Sequence, residues 1–143
     1  MDRINLLGAQ GESAIDISEA LGSTAFAMVV YDVPPGAASA PYHYEYEEEW
    51  LLVVEGEITV RAPDGEHALE RGDLVRFPAG PDGAHNVMNR SEAPARALLF
   101  SRTGPGVAVV VYPDSDTVAV WGSNQNVLFR RDSAVPLSER FRE

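Results

Sequence analysis

The sequence has 143 residues, of which 22 are acidic and 11 basic, and its formal net charge is -11. A chain of this length is predicted to form a single domain around one core. Its negative charge disfavours nucleic acid and anionic membranes as partners and leaves a small molecule as the expected one. The absence of cysteine excludes disulfides and thiolate chemistry, and because every basic residue is arginine, a Schiff-base lysine is also excluded.

The amino-terminal segment lacks the basic stretch and the long apolar run that together mark a secretory signal. The longest apolar runs, such as residues 107–112, are too short to span a bilayer. These two features predict a cytoplasmic protein.

Short apolar runs separated by Gly and Pro punctuation predict an all-β protein. Runs at this spacing are typical of a sandwich or barrel, whereas a helical period is nearly absent. The helix candidates are one turn at residues 18–21 and the tail from Ser138, and the polar segment from Ser123 is expected to be ordered only through contacts. The predicted strands are residues 25–33, 50–54, 58–62, 67–69, 74–77, 85–89, 95–101, 107–112 and 117–121.

The segment of residues 41–50 carries the chemistry-bearing pattern of the sequence. Alternate residues of an extended strand share a face, so His43 and Glu45 lie on one face and Glu49 keeps the same parity. Leu51 and Val53 continue that parity and are expected to line an apolar interior. The pattern therefore predicts one imidazole and two carboxylates directed into a cavity, although a glutamate-rich run is more often a solvated face.

Buried carboxylates require a compensating charge, and a divalent cation would supply it. His85 is expected to add a second imidazole from a separate strand. Imidazole with carboxylate suits Fe, Mn, Ni, Co or Zn. The predicted metal ligands are His43, Glu45, Glu49 and His85, whereas Glu47 and Glu48 are expected to face solvent.

Residues 36–89 resemble the two conserved motifs of the cupin superfamily. Two insertions distinguish this chain: six residues separate Gly36 from His43, and four separate Gly80 from His85. Glu45 stands where the family has a second histidine of the first motif. The matching positions are Gly36, His43, Glu45, Glu49 and Gly56 in the first motif and Gly72, Pro78, Gly80, His85 and Asn89 in the second.

The resemblance implies a cupin-type double-stranded β-helix, or jelly-roll, barrel. It implies a single cupin domain over residues 1–143, with motifs at about residues 36–56 and 72–89. The terminal extensions would pack on the barrel or on a partner, and the family further implies a homodimer. The family's metal site implies that His43, Glu45, Glu49 and His85 hold a divalent ion.

Two functions are compatible with this sequence. The first is a metal-dependent enzyme that acts on a small oxygen-rich metabolite, by oxygenase or isomerase chemistry, with Glu45 or Glu49 as the base in the isomerase version. The second is a non-catalytic cupin that binds or senses a small ligand in the same pocket. An open coordination position beside a titratable group would distinguish the enzyme.

Five further residues are assigned structural roles. His67 is interpreted as a surface histidine and Arg76 as a member of a surface ion pair. Gly56 and Gly72 are expected at hairpin tips, where a positive φ is easily reached by glycine. Asn89 is expected to cap a turn or a strand end.

Overall fold

A computed structural model describes residues 1–9, 13–103, 106–122 and 126–141 of the chain. Short 3₁₀ turns lie at Pro81–Gly83, Pro113–Ser115, Arg131–Ser133 and Leu137–Phe141. The longer elements are β1 (Ala14–Asp16), α1 (Ile17–Leu21), β2 (Phe26–Val33), β3 (Tyr44–Glu45), β4 (Glu49–Glu55), β5 (Glu57–Ala62), β6 (Gly65–Glu70), β7 (Leu74–Phe77), β8 (Asn86–Met88), β9 (Ala95–Arg102), β10 (Val107–Tyr112), β11 (Thr117–Gly122) and β12 (Val127–Arg130).

The strands form three antiparallel sheets, which confirms the predicted jelly-roll β fold. Their orders are β1-β2-β9-β4-β7, β12-β11-β10-β3 and β6-β5-β8. The hydrophobic core contains aliphatic residues of β2, β4, β5 and β9 with Phe77 and Val87. Leu51 and Val53 of β4 are 0% and 1% exposed, so the predicted parity of this strand is confirmed.

Gly56 and Gly72 have the expected positive φ, +75° and +97° respectively, but neither lies at a hairpin tip. β4 and β5 belong to different sheets, as do β6 and β7, so both glycines lie where the chain crosses between sheets. At Gly56 a Cβ would lie 2.7 Å from the Pro94 carbonyl oxygen. Glycine is required there both by the backbone conformation and by this close approach.

The two ends of the chain add strands to the edges of the sheets. β1 pairs with β2, and β12 pairs with β11. Arg96 makes a two-pronged ion pair with Asp32 and donates to the Leu6 carbonyl oxygen, which fastens the amino-terminal segment to β9. In the part of the chain that the structure describes, no helix has the length and apolarity that a membrane crossing requires.

Candidate metal centre

His43 and His85 face each other across an isolated antiparallel bridge. The backbone N–H of each residue donates to the carbonyl oxygen of the other, at 3.0 and 2.8 Å. Their ring centroids are 4.8 Å apart, and the side chains are 8% and 2% exposed. The bridge thus brings together two histidines that are 42 positions apart in the sequence, as 85 minus 43 shows.

Backbone carbonyl groups set the tautomer of both rings. Nδ1 of His43 lies 2.8 Å from the Pro41 carbonyl oxygen, and Nδ1 of His85 lies 2.9 Å from that of Gly83. Because a carbonyl oxygen only accepts, each Nδ1 carries the proton and each neutral ring presents a lone pair at Nε2. Histidines that bind metal ions are commonly oriented in this way. Burial, and then the neighbouring His85, lower the pKa of His43, which favours the neutral ring.

Glu49 brings a carboxylate to the same place from the first position of β4. Its Oε2 lies 3.2 Å from Nε2 of His85. Both atoms are buried and neither has a hydrogen-bond partner. Two acceptor atoms this close repel each other, and burying each without a partner is energetically costly. A positive charge between them would offset both effects.

Phe77 holds the second imidazole in position. Its ring stacks on His85 with centroids 3.7 Å apart and an interplanar angle of 8°. Phe77 is the residue of β7 directly opposite Glu49 of β4. The same pair of strands therefore positions both the carboxylate and the imidazole that it faces.

The ligand atoms of His43, Glu49 and His85 all lie within 4.8 Å of one another. Two imidazole nitrogens and a carboxylate oxygen are donors that suit divalent transition metals, which bind such atoms at about 2.0–2.2 Å. The two unpaired acceptors are the observation that favours a cation here. This donor set could hold a metal ion, and it does not select one metal among Fe, Mn, Ni, Co and Zn.

Glu45 lies beside this cluster but outside its group of ligand atoms. Its side chain lines the same cavity as His43 and Glu49. Burial, and then the negative charge of Glu49, raise the pKa of Glu45 to about 7. A carboxyl group with that pKa can both take up and release a proton near neutral pH.

The cavity that His43 lines measures about 560 Å³, and Glu47 also lines it. This volume lies within the range of about 300–1,000 Å³ that is usual for small-molecule sites. Glu47 is exposed, as expected. It also shares the strand parity of Glu45 and Glu49, and this parity could have predicted its position at the cavity. Glu48 faces solvent and forms an ion pair with Arg76 at 2.7 Å.

Two tyrosines in the cavity wall were not identified from the sequence. Tyr31 of β2 and Tyr112 of β10 both line the cavity. Burial, and then Glu49, raise the pKa of Tyr31, while burial, and then Glu45, raise that of Tyr112. Both phenols therefore stay protonated and can donate hydrogen bonds to oxygen atoms of a bound molecule.

The structural roles assigned to His67 and Asn89 from the sequence are confirmed. His67 is half exposed and pairs with Asp64 at 2.8 Å, away from the histidine bridge. Asn89 is 1% exposed, and its amide donates to the carbonyl oxygens of Val33 and Ala93. It accepts from the backbone N–H of Ser91, so it fixes the turn before β9.

The sequence profile of the Cupin_2 family, described as the cupin domain, matches residues 29–101 of the chain. The chain belongs to this family. The matched residues include every member of the histidine and glutamate cluster and most of β2 to β9. The resemblance drawn from the two motifs is thereby confirmed.

Other cupin-like proteins differ in the activities that their names give. The crystal structure of a sugar phosphate isomerase from a cupin superfamily, from Silicibacter pomeroyi, is 28% identical with a TM-score of 0.79, covering 88% of this chain and 80% of that one. The polyketide cyclase RemF from Streptomyces resistomycificus is 18% identical with a TM-score of 0.59, covering 71% of this chain and 79% of RemF. At that identity the second likeness shows the fold alone.

One curated protein is similar in sequence over part of its length. The tetracenomycin polyketide synthase protein TcmJ from Streptomyces glaucescens is 25% identical over 79 residues. The aligned residues are 55% of this chain and 52% of TcmJ. The chain thus spans about half the length of this relative.

Proposed function

We propose that the chain is a metal-dependent isomerase that moves a proton between adjacent carbons of a small hydroxy-carbonyl metabolite. The observation that carries the proposal is that two carboxylates of one cavity occupy different positions relative to the histidines. Glu49 faces His85 as a ligand would, whereas Glu45 lines the same cavity outside the ligand group. The similarity to a sugar phosphate isomerase at 28% identity supports this class of reaction.

In this proposal His43, Glu49 and His85 hold the metal ion, through Nε2 of each histidine and Oε2 of Glu49. A divalent ion bound there would polarise the carbonyl oxygen of the substrate and acidify the neighbouring C–H group. Tyr31 and Tyr112 would donate hydrogen bonds to substrate oxygens from the cavity wall. Glu45 is predicted from the sequence to be a metal ligand, but here it is assigned the role of general base instead.

Glu45 is the proposed general base. It takes the proton from the carbon next to the carbonyl, which leaves an enediolate. The hydroxyl proton then passes between the two neighbouring substrate oxygens, and the carboxylic acid of Glu45 returns its proton to the other carbon. The proton taken up equals the proton returned, so Glu45 is regenerated and no redox partner is required. Positioned acid–base groups of this kind contribute about 10²–10⁴-fold to rates.

The test is exchange of carbon-bound hydrogen in D₂O. Protein loaded with Zn²⁺ or Mn²⁺ is incubated with a panel of unphosphorylated and phosphorylated hydroxy-aldehydes and hydroxy-ketones, and deuterium incorporation is followed by NMR. We expect exchange with at least one class of compound, and we expect it to disappear when the metal is removed. Exchange that is equal with and without metal would contradict the proposal.

Glu45→Gln separates the role of base from that of ligand. The amide retains the size of the side chain but accepts no proton, so we expect a loss of about 100-fold or more in exchange rate. Metal content, measured by elemental analysis, should remain that of the wild type. Glu48→Gln is the matched control, because Glu48 is exposed and is not among the residues that line the cavity, and both quantities should be unchanged.

A loss of metal in the Glu45→Gln variant would instead identify Glu45 as the fourth ligand. Glu45→His then distinguishes the two arrangements, because it restores the donor type that the family has at this position. In the four-ligand arrangement the His variant binds metal while the Gln variant does not. In the arrangement proposed here both variants bind metal and neither catalyses exchange.

We also propose a homodimer in which the terminal extensions contribute to the contact. Neighbouring residues of a strand point to opposite faces, and Leu128 and Phe129 of β12 are 65% and 55% exposed. Leu128 lines a groove along β11 and β12, so Phe129 lies on the opposite face of β12, and this open apolar face is a place for a second copy.

Light scattering at micromolar concentration should give twice the 15.5 kDa chain mass. Phe129→Asp should shift the mass to that of one chain, because it places a charge in the contact. Leu74→Asp is the control: it changes an equally exposed apolar residue of β7, on another sheet, and should leave the dimer intact. A wild-type mass of one chain would refute the dimer.

A further inference from the structure

The outer wall of the metal cavity carries exposed apolar side chains that the proposed proton transfer does not use. Val107 of β10 is 58% exposed and Trp121 of β11 is 47% exposed, and both line the cavity. Trp121 lies directly opposite Ala108 of β10, another residue of the same wall. Exposed apolar groups gathered at the rim of a polar site indicate a surface that contacts a ligand.

This wall continues into a second depression on the same sheet. A groove of about 460 Å³ lies along β11 and β12 and includes Ala119 and Val127. Tyr112 and Trp121 line both the groove and the metal cavity. A molecule that reaches the metal ligands with one end can therefore lay an apolar portion against Trp121.

The charges of the cavity disfavour a phosphate group. Three carboxylates, those of Glu45, Glu47 and Glu49, are in its wall, and Arg102 is the one arginine among the described lining residues. With all three carboxylates ionised, a divalent ion together with Arg102 would just balance their charge. No positive charge is left over for a phosphate dianion, and like charges at short range are strongly unfavourable.

From this wall and this charge balance we infer that the substrate is an unphosphorylated compound with an aromatic or similarly planar ring beside its metal-binding oxygens. The part of this inference that concerns metal-binding oxygens rests on the proposed function. The ring and the absence of phosphate depend on Trp121, Val107 and the three glutamates. In this respect the chain departs from the sugar phosphate isomerase that it resembles.

The test compares three probes: catechol, ribose and ribose 5-phosphate. Binding is measured by calorimetry on Zn²⁺-loaded protein and on metal-free protein. We expect catechol to bind about tenfold more tightly than ribose 5-phosphate in both forms, because the wall and the carboxylates are present in each. A second readout uses the Trp50→Phe variant, in which Trp121 is the remaining tryptophan and its fluorescence should change when catechol binds.

Two variants separate the ring contact from the charge effect. Trp121→Ala should weaken catechol binding by about fivefold and leave ribose binding within about twofold. Glu47→Gln should strengthen ribose 5-phosphate binding by at least about twofold, because it removes a charge at the cavity without touching the metal ligands.

Two results would overturn the inference: ribose 5-phosphate binding as tightly as catechol to the wild type, or catechol binding that is insensitive to Trp121→Ala. Failure of the proposed function looks different. In that case the protein takes up no Zn²⁺ or shows no metal-dependent deuterium exchange, and the preference for catechol over ribose 5-phosphate is still measured on the metal-free protein.

Discussion

His85→Ala is expected to abolish metal binding while the barrel remains folded. Loss of a residue that only supports a ligand costs about 10- to 100-fold in affinity, so loss of a ligand should cost at least about 100-fold. His85 is 2% exposed and stacks on Phe77, and its removal also leaves a cavity. His85→Gln fills more of that space and should fold well while still binding metal poorly. Elemental analysis and circular dichroism measure the two effects separately.

The matched control is His67→Ala. His67 is the histidine that lies outside the bridge, exposed on β6 and paired with Asp64. Its loss should leave the metal content unchanged, because it contributes no atom to the cluster. Stoichiometric metal in the His85→Ala variant, or equal losses in both variants, would contradict the proposed ligand set.

Gly83→Ala is expected to destabilise the protein and to disturb the site with it. A Cβ at Gly83 would lie 1.7 Å from the backbone oxygen of Pro78, which is far inside contact distance. The chain must move to relieve that overlap, at a cost of about 3 kcal/mol. The Gly83 carbonyl oxygen also accepts a hydrogen bond from Nδ1–H of His85, so the movement should weaken metal binding.

Urea denaturation measures the first effect, and metal titration of the folded variant measures the second. Gly8→Ala is the control, because the nearest atom to its Cβ would be 3.7 Å away, in ordinary contact. An alanine is tolerated at such a position and should change the stability by less than about 1 kcal/mol. An unchanged urea midpoint for Gly83→Ala would show that the loop accommodates the methyl group.

Strands with a clear alternation or a strong apolar run were predictable from the sequence, and the shortest ones were not. β7 and β10 begin and end at the predicted residues because Gly, Pro and Asp turns bound them. β1 and β12 were missed, since Ala14–Asp16 is short and Val127–Arg130 lies in a segment interpreted as polar. Both are edge strands whose conformation depends on a neighbouring strand rather than on local propensity.

The crossovers show a second limit of sequence reasoning. Glycines with positive φ serve hairpins and crossovers alike, so Gly56 and Gly72 revealed where the chain turns but not which strand follows as a partner. Pairing is decided by long-range packing, which the local pattern does not contain.

For the site, parity correctly directed His43, Glu45 and Glu49 to one cavity, and motif spacing indicated His85. Whether Glu45 joins the ligand cluster depends on how the chain bends between β3 and β4, and parity carries no information about that bend. The stacking of Phe77 on His85 joins two elements across the loop containing Pro81–Gly83, so it could not be derived from either element alone.

The three residues of the cluster lie in or next to strands of three different sheets. His43 directly precedes β3, Glu49 begins β4 and His85 directly precedes β8. An ion held by all three would act as a cross-link in a chain that has no cysteine. Anything that binds only the folded state stabilises it by mass action, about 2.7 kcal/mol at a free concentration 100 times the dissociation constant. The same ion that serves the chemistry would therefore stabilise the folded barrel. The free energy of unfolding would then depend on the concentration of free metal.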